Sequence, residues 1–324
     1  MALSIQVSQH GGPEVLECVD VEPTAPAAGE IQIAQKAVGL NFIDTYLRSG
    51  LYPPPGMPFT PGFEGAGVIS AVGEGVSEFS VGDRVAYPNC LGAYAAVRNM
   101  PASQAMQLPA FIEFDTGAAM MLKAMTAEFL LHRTYKVGPG DTILVHAAAG
   151  GVGSLLCRWG AHLGATVIGT VSSEDKAAIA RANNCHHPVI YTRDDFVEAV
   201  REITDGKGVD VVYDSVGKDT FSGSMQCLKN FGLLVSFGQS SGSIAPMQVT
   251  DLLNHGSLYL TRPSLMHHIA DPTVRAESAQ RAFNAVKQGI IQIDIGQRYP
   301  LSEVQQAHRD LESRKTTGST VLIP

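Results

Sequence analysis

From Thr142 to Thr170 the chain reads TILVHAAAGGVGSLLCRWGAHLGATVIGT. An apolar run, a glycine-rich turn, a helix-like segment and a second apolar run follow in immediate succession. The pattern then repeats: EDKAAIARANN precedes PVIY, DFVEAVREITDG precedes VDVVYDSVG, and a helical stretch to Asn230 precedes LLVSFG. Few folds accept this rhythm. Parallel strands need long crossovers, usually helical, and those helices cover both faces of the sheet. Residues 125–265 are therefore expected to form an α/β domain, a doubly wound parallel sheet. Val152, Leu155, Leu156 and Trp159 have helical spacing and should pack on it, with Gly164 as the helix stop.

The first turn of that domain carries chemistry. Ala148, Ala149, Gly150, Gly151, Val152 and Gly153 match G-x-G-x-x-G except at Ala148. Gly150 lets the backbone approach a pyrophosphate, and Gly153 lets the helix sit close to the sheet. The helix N-terminus offers free N–H groups and partial positive charge to the phosphates. Its place between a strand and a helix lifts the motif above a lone glycine turn. NAD enzymes usually place an acid about 20 residues after such a turn, on the ribose 2′-hydroxyl. Here ATVIGT leads into Val171, Ser172 and Ser173, with no acid until Glu174, and Lys176 follows. Hydroxyls and a cation suit a 2′-phosphate, so NADPH is the expected cofactor. The plainer reading makes Ser172 a helix cap and Lys176 a solvated residue.

Residues 1 to about 120 read differently. SIQVSQ and EIQIAQKAV alternate apolar and polar residues as half-buried strands do. FEGAGVISAVGEGV and VGDRVAYP carry the glycine punctuation of tight β turns. YPPPGMPFTPG, residues 52–62, is a proline-stiffened loop. Near the C-terminus, AESAQRAFNAVKQG and LSEVQQAHRDLESR are amphipathic helices and TVLIP is a strand.

Composition narrows the function. A chain of 324 residues favours two domains over one. A net charge of −8 gives no electrostatic footprint for nucleic acid. No apolar run reaches the roughly 18 residues of a membrane span, and MALSIQVSQHGG lacks the pattern of a signal peptide. Five scattered cysteines suit reduced thiols in a cytoplasm. Neither C-x-x-C nor H-E-x-x-H occurs. The pairs His186–His187 and His267–His268 are neighbours that point in different directions, so no metal site is expected. G-x-S-x-G is also missing.

GLNFIDTYLRSGLYPPPGMPFTPGFEGAGVISAVGEGVSEFSVGDRV, with HAAAGGVG behind it, resembles the medium-chain dehydrogenase/reductase superfamily. Within it the chain is most similar to the zinc-free quinone oxidoreductases, the zeta-crystallin group, over nearly its whole length. The resemblance implies a GroES-like β-rich catalytic domain from residues 1–124 and 266–324, a Rossmann domain at 125–265, and a homodimer. Where the zinc alcohol dehydrogenases carry a ligand cysteine this chain has Asn41. Where they carry G-H-E it has Gly62, Phe63 and Glu64. Only Cys90 lies near the position of their cysteine-rich lobe. Without a Lewis acid an ordinary ketone is hard to polarise, whereas a quinone accepts hydride readily.

The resemblance also implies site residues. Asn41 and Asp44 fall at the nicotinamide and substrate cleft, with Tyr46 and Tyr52 as hydroxyl donors. Lys123 and Thr126 begin the stretch that meets the cofactor between domains. Ser172, Lys176, Tyr191 and Arg314 resemble the set around the 2′-phosphate. Ser215, Phe237, Gly238 and Ser240 follow later strands, at the edge where ligands bind. Plainer roles exist: Asn41 as a helix cap, Asp44 in its first turn, Tyr52 packed on prolines, Arg314 solvated at a helix end. The expected activity is NADPH-dependent reduction of a quinone or similar electrophile. The alternatives are reduction of enone or enal C=C bonds, or NADPH binding without catalysis as in lens crystallins.

Overall fold

The computed structural model describes residues 1–324. Strands β1 (Ala2–Gln6) and β2 (Glu17–Val21) pair antiparallel. There follow β3 (Glu30–Leu40), helix α1 (Phe42–Ser49), β4 (Glu64–Val72), β5 (Arg84–Tyr87), β6 (Val97–Pro101), β7 (Met106–Gln107) and helix α2 (Phe114–Phe129). In β3 the isoleucines Ile31 and Ile33 are buried while Glu30, Gln32 and Ala34 are only partly so, as a period of two requires. The capping pair Asn41 and Asp44 opens α1, and Gly50, with φ 82°, closes it in the left-handed conformation. Helix α2 was not marked by the sequence pattern. Its segment GAAMMLKAMTA is apolar on nearly every side, so it shows neither alternation nor a clean stripe.

The next elements alternate strictly. They are β8 (Thr142–Val145), α3 (Gly151–His162), β9 (Thr166–Val171), α4 (Glu174–Ala182), β10 (His187–Ile190), α5 (Phe196–Ile203), β11 (Val209–Asp214), α6 (Phe221–Cys227), β12 (Leu228–Ser236), α7 (Val249–Asn254) and β13 (Tyr259–Thr261). The six strands form a parallel sheet in the order β10-β9-β8-β11-β12-β13. Counted from β8 this is 3-2-1-4-5-6, the order of a dinucleotide-binding Rossmann sheet. Leu155, Leu156 and Trp159 of α3 are buried, and Gly164 takes φ 92° past its end. One boundary departs from expectation. The helix expected to reach Asn230 stops at Cys227, and Leu228–Asn230 already belong to β12. Lys229 and Asn230 are exposed, so that stretch carries no alternation to betray it.

The chain closes with α8 (Leu265–His268), α9 (Pro272–Lys287), β14 (Ile295–Pro300), α10 (Val304–Glu312) and β15 (Ser319–Ile323). β15 runs antiparallel to β3, so the C-terminus returns to the N-terminal sheet, whose order is β14-β15-β3-β4-β5-β7 with β6 also on β3. Two compact units result. One comprises Met1–Met125, Pro272–Lys287 and Ile293–Pro324, and the other Thr126–Asp271 and Gln288–Gln292. The first is cored by Ile5, Ile31, Ile33, Ile69, Tyr87 and Leu322, the second by Leu144, Ile168, Val200, Val212 and Leu234. No helix is long and apolar enough to cross a membrane.

Candidate functional site

The turn after β8 is held on both sides. His146 N–H donates to Tyr213 O at 3.1 Å, and Ala148 N–H to Thr170 O at 3.1 Å. Ala147 turns the chain at φ 54°, and Gly150 N–H donates to its carbonyl at 2.9 Å. A Cβ on Gly153 would fall inside contact distance of that same carbonyl oxygen, so only glycine fits there. On Gly150 a Cβ would meet nothing nearer than that oxygen at 3.1 Å. Gly153 therefore serves packing, while Gly150 keeps the outer side of the turn open. Ala148, the departure from the glycine pattern, has its explanation in β9. Gly169 lacks a side chain, and a Cβ there would lie 2.6 Å from the Ala148 methyl. The alanine occupies space that Gly169 leaves.

Gly150 caps α3 without a side chain, and the first turn, with Gly151 and Val152, contains no acid. The helix thus presents N–H groups and positive partial charge with no protein group placed to satisfy them, which fits a pyrophosphate. Beneath the turn runs a buried polar chain. Asp214 accepts from the Ser224 hydroxyl at 2.9 Å, Ser224 from His146 Nε2 at 2.9 Å, and His146 Nδ1 from Thr170 Oγ1 at 2.8 Å. The acceptor role of Asp214 sets the direction of all three bonds. Burial lowers the His146 pKa, in keeping with a neutral ring. These residues knit the carboxyl ends of β8, β9 and β11, the edge at which such sheets bind ligands.

At that edge Gly238 passes so close to Ser215 that a Cβ would lie 2.6 Å from its carbonyl oxygen. Phe237 N–H donates to Asp214 O at 2.8 Å and Ser240 N–H to Ser215 O at 3.2 Å. The four residues expected there form one loop pair. At the end of β9 the cap of α4 is Ser173, whose Oγ accepts from Lys176 N at 3.3 Å. The cap that the plainer reading put at Ser172 is thus one residue later, at Ser173. Tyr191 is tied by its N–H to Val171 O at 3.1 Å and leaves its ring exposed. Ser172, Lys176 and Tyr191 all belong to this unit. Arg314 belongs to the other, exposed just past α10 at φ 59°.

The first unit gathers a second polar group. Glu64, at the start of β4, is fully buried. Its Oε1 accepts from Asn41 Nδ2 at 2.8 Å and Lys123 Nζ at 2.8 Å, and its Oε2 from Leu122 N at 2.7 Å. β3 passes so near that a Cβ on Gly39 would collide with this carboxylate. Because an ion-paired carboxylate only accepts, Asn41 must turn its amino group to Glu64. One amino hydrogen of the amide is thereby committed to Glu64, and its carbonyl oxygen is turned away from that carboxylate. Asn41 also caps α1, its N–H donating to Asp44 Oδ2 at 2.9 Å. Lys123 and Thr126 are both buried on α2. Tyr46 and Tyr52 meet edge to face, ring centres 5.3 Å apart.

Asp44 leads to residues the sequence did not mark. Tyr94 OH donates to Asp44 Oδ2 at 2.7 Å, and His308 Nε2 lies 3.1 Å from that hydroxyl. Arg48 Nη1 stands 3.0 Å from His308 Nδ1, while its two terminal nitrogens also hold Glu312 at 3.1 and 2.6 Å. Arginine only donates, so His308 accepts at Nδ1 and carries its proton on Nε2. Burial, then the charge of Arg48, pushes the His308 pKa down to about 3. Burial pushes Asp44 up to about 7, against the donors at Asn41 and Tyr94.

The two groups give opposed pH dependence. The folded pKa of His308 is depressed, so its contribution is present above the unfolded value of 6.5 and lost as pH falls through about 3. That of Asp44 is raised, so its contribution is present below 3.8 and lost as pH rises through about 7. Their slopes oppose one another between about pH 4 and 6.5. His308→Gln removes one of them. The variant should lose melting temperature steadily from about pH 4.5 to 7 relative to wild type. Parallel curves for the two proteins would show that His308 is not buried neutral.

Residues 27–131 match the alcohol dehydrogenase GroES-like domain, and residues 184–322 match the family described as zinc-binding dehydrogenase. Quinone oxidoreductase 1 of Escherichia coli K12 is 48% identical over 327 residues, covering 100% of both chains. The 2-haloacrylate reductase of a Burkholderia species is 44% identical, covering 100% of this chain and 99% of its own. Among solved structures, the Escherichia coli quinone oxidoreductase complexed with NADPH aligns with a TM-score of 0.98, at 48% identity and full coverage of both chains. A mycobacterial protein complexed with NADPH aligns at 0.96 and 43% identity, covering 99% of this chain and 100% of its own.

Proposed function

The chain belongs to the quinone oxidoreductases of the medium-chain dehydrogenase/reductase superfamily, and we propose that it reduces quinones with NADPH and without zinc. NADPH, when bound, supplies the hydride. The turn 146–153 holds the pyrophosphate on the uncapped N-terminus of α3. Ser172, Lys176, Tyr191 and Arg314 take the 2′-phosphate. Ser215, Phe237, Gly238 and Ser240 line the strand-end edge of the cofactor site. Asn41, Lys123 and Thr126 attend its nicotinamide end.

The observation that carries the acceptor class is the engagement of Glu64. Its two oxygens hold Asn41, Lys123 and the Leu122 N–H. Two positions at which zinc enzymes coordinate their metal are here Asn41 and Phe63, and the acid beside them is already ion-paired. No three His, Cys, Asp or Glu side chains gather into a metal-holding group. An acceptor served by this chain must therefore take hydride without Lewis-acid help. A quinone does so because its reduction restores an aromatic ring. Tyr46 and Tyr52 are the hydroxyl donors to the acceptor. Asp44 is fully buried and works through the cap it makes for Asn41.

A second reading has support in the 2-haloacrylate reductase, whose name points to an activated C=C bond. Initial rates with NADPH across ortho-quinones, para-quinones, enals and 2-haloacrylates separate the two. Quinones should exceed the alkenes by at least about tenfold in kcat/KM, which is about 1.4 kcal/mol of transition-state preference. Alkene turnover above quinone turnover would reverse the assignment.

We further infer that the partner is a second copy of the chain. Strand β13 is the edge of the parallel sheet, and Tyr259, Leu253 and Phe231 around it are more than 60% exposed. An open apolar edge of this kind invites pairing. A solution mass of one chain at micromolar concentration would refute the pairing. The five cysteines are all free thiols, which suits a reducing compartment such as the cytoplasm.

A further inference from the structure

Glu174 is the first residue of α4 and the first acid after β9. An acid at that edge of a dinucleotide-binding sheet favours a ribose 2′-hydroxyl and opposes a 2′-phosphate. The preference for NADPH therefore has to overcome Glu174. The structure shows what engages this acid. Arg193 Nη1 donates to Glu174 Oε1 at 2.9 Å, while its Nε and Nη2 hold the neighbouring Asp194. The arginine does not reach across on a loose segment. The loop after β10 is fastened to the end of β9 on either side of Ser172. Tyr191 N–H donates to Val171 O at 3.1 Å, and Thr192 Oγ1 to Ser172 O at 3.0 Å. Three consecutive residues, Tyr191, Thr192 and Arg193, thus contact Val171, Ser172 and Glu174 in turn. The guanidinium is delivered to the first turn of α4, beside the cap at Ser173.

We propose that Arg193 is a specificity-determining residue that neutralises Glu174 and so lets the β9–α4 edge accept the 2′-phosphate of NADPH. The proposal rests on the reading that Ser172, Lys176 and Tyr191 hold that phosphate. Its physical content is a partial charge cancellation, since the one guanidinium is shared between Glu174 and Asp194. With Arg193 present, the acid nearest the phosphate is already paired. Without it, a carboxylate with no cation on it stands at the edge that a near-dianionic 2′-phosphate would occupy. The same freed carboxylate can accept a hydrogen bond from the 2′-hydroxyl of NADH, so the two cofactors should respond in opposite directions. Both side chains are more than half exposed, so the coupling is modest and screened by salt.

The test is a double-mutant cycle on cofactor affinity with the intact protein. Dissociation constants for NADPH and NADH are measured by calorimetry for wild type, Arg193→Ala, Glu174→Gln and the double variant, at low salt. Arg193→Ala should weaken NADPH by about five- to tenfold, the size of a like-charge contact in solvent. NADH should bind as before or more tightly. Glu174→Gln in the same chain should restore NADPH to within about twofold of the Glu174→Gln single variant. Raising the salt to about 0.5 M should shrink the Arg193→Ala effect. No effect of Arg193→Ala would overturn the proposal. So would a loss that persists in the double variant, since Arg193 would then touch the phosphate itself. Lys176→Ala separates this inference from the reading beneath it. If wild type does not prefer NADPH, or Lys176→Ala leaves the preference intact, the phosphate is elsewhere and both fall. If wild type is selective and Lys176→Ala is costly while Arg193→Ala is silent, only the role of Arg193 falls.

Discussion

Glu64→Ala is expected to destabilise the first unit by about 3–5 kcal/mol, the usual cost of removing one partner from a buried ion pair. Glu64 is fully buried, and the Lys123 side chain is 7% exposed. Deleting the carboxylate leaves an ammonium, the Asn41 amino group and the Leu122 N–H with their acceptor removed. The charge is the costliest of the three, because water cannot reach it to compensate. Lys123→Met on the same background removes the stranded charge and should recover a large part of the loss. Urea unfolding followed by two probes measures this, since the two units need not unfold together. A loss under about 1 kcal/mol for Glu64→Ala would mean that the pair is hydrated and worth no more than a surface ion pair.

Gly153→Ala is expected to weaken NADPH by roughly 10- to 100-fold, the loss of one charge-assisted hydrogen bond to phosphate. The added methyl collides with the backbone carbonyl of Ala147, which no side-chain rotation relieves. The turn must move, and the N–H groups of α3 move with it. Gly150→Ala is the informative companion. Its methyl meets the same oxygen only at 3.1 Å, so the fold should tolerate it, while the open side of the turn is narrowed. Gly153→Ala should thus lower both melting temperature and affinity, and Gly150→Ala affinity alone. Equal melting losses for the two would show that both glycines serve packing.

The parts legible in the sequence were those coded locally. The Rossmann sheet followed from strand, turn and helix alternating over short spans. The cap at Asn41 and Asp44 lies within four residues. The compensation for Ala148 was present but unreadable, because Gly169 meets it only when β9 lies beside β8. The chain Asp44–Tyr94–His308–Arg48 was hidden for the same reason. Tyr94 is 50 residues from Asp44, and His308 is 260 from Arg48. Nothing near any of the four in sequence says that a tyrosine, a histidine and an arginine will be buried together. Arg193 read as one more charge in a polar loop until the loop was seen fastened to the end of β9. Phe63 was visible as the departure from a zinc pattern and Glu64 as its retained acid, but the role of Glu64 depended on Lys123, 59 residues on.

Hydride delivery from NADPH to a quinone is proposed to proceed with no metal taking part. Its most direct test is NADPH oxidation driven by a para-quinone, using chelator-treated protein with bound zinc counted on the same sample. Saturable turnover that chelation leaves unchanged is expected, at far less than one zinc per chain. Activity that disappears on chelation and returns with stoichiometric zinc would contradict it, as would NADPH bound without any quinone turnover.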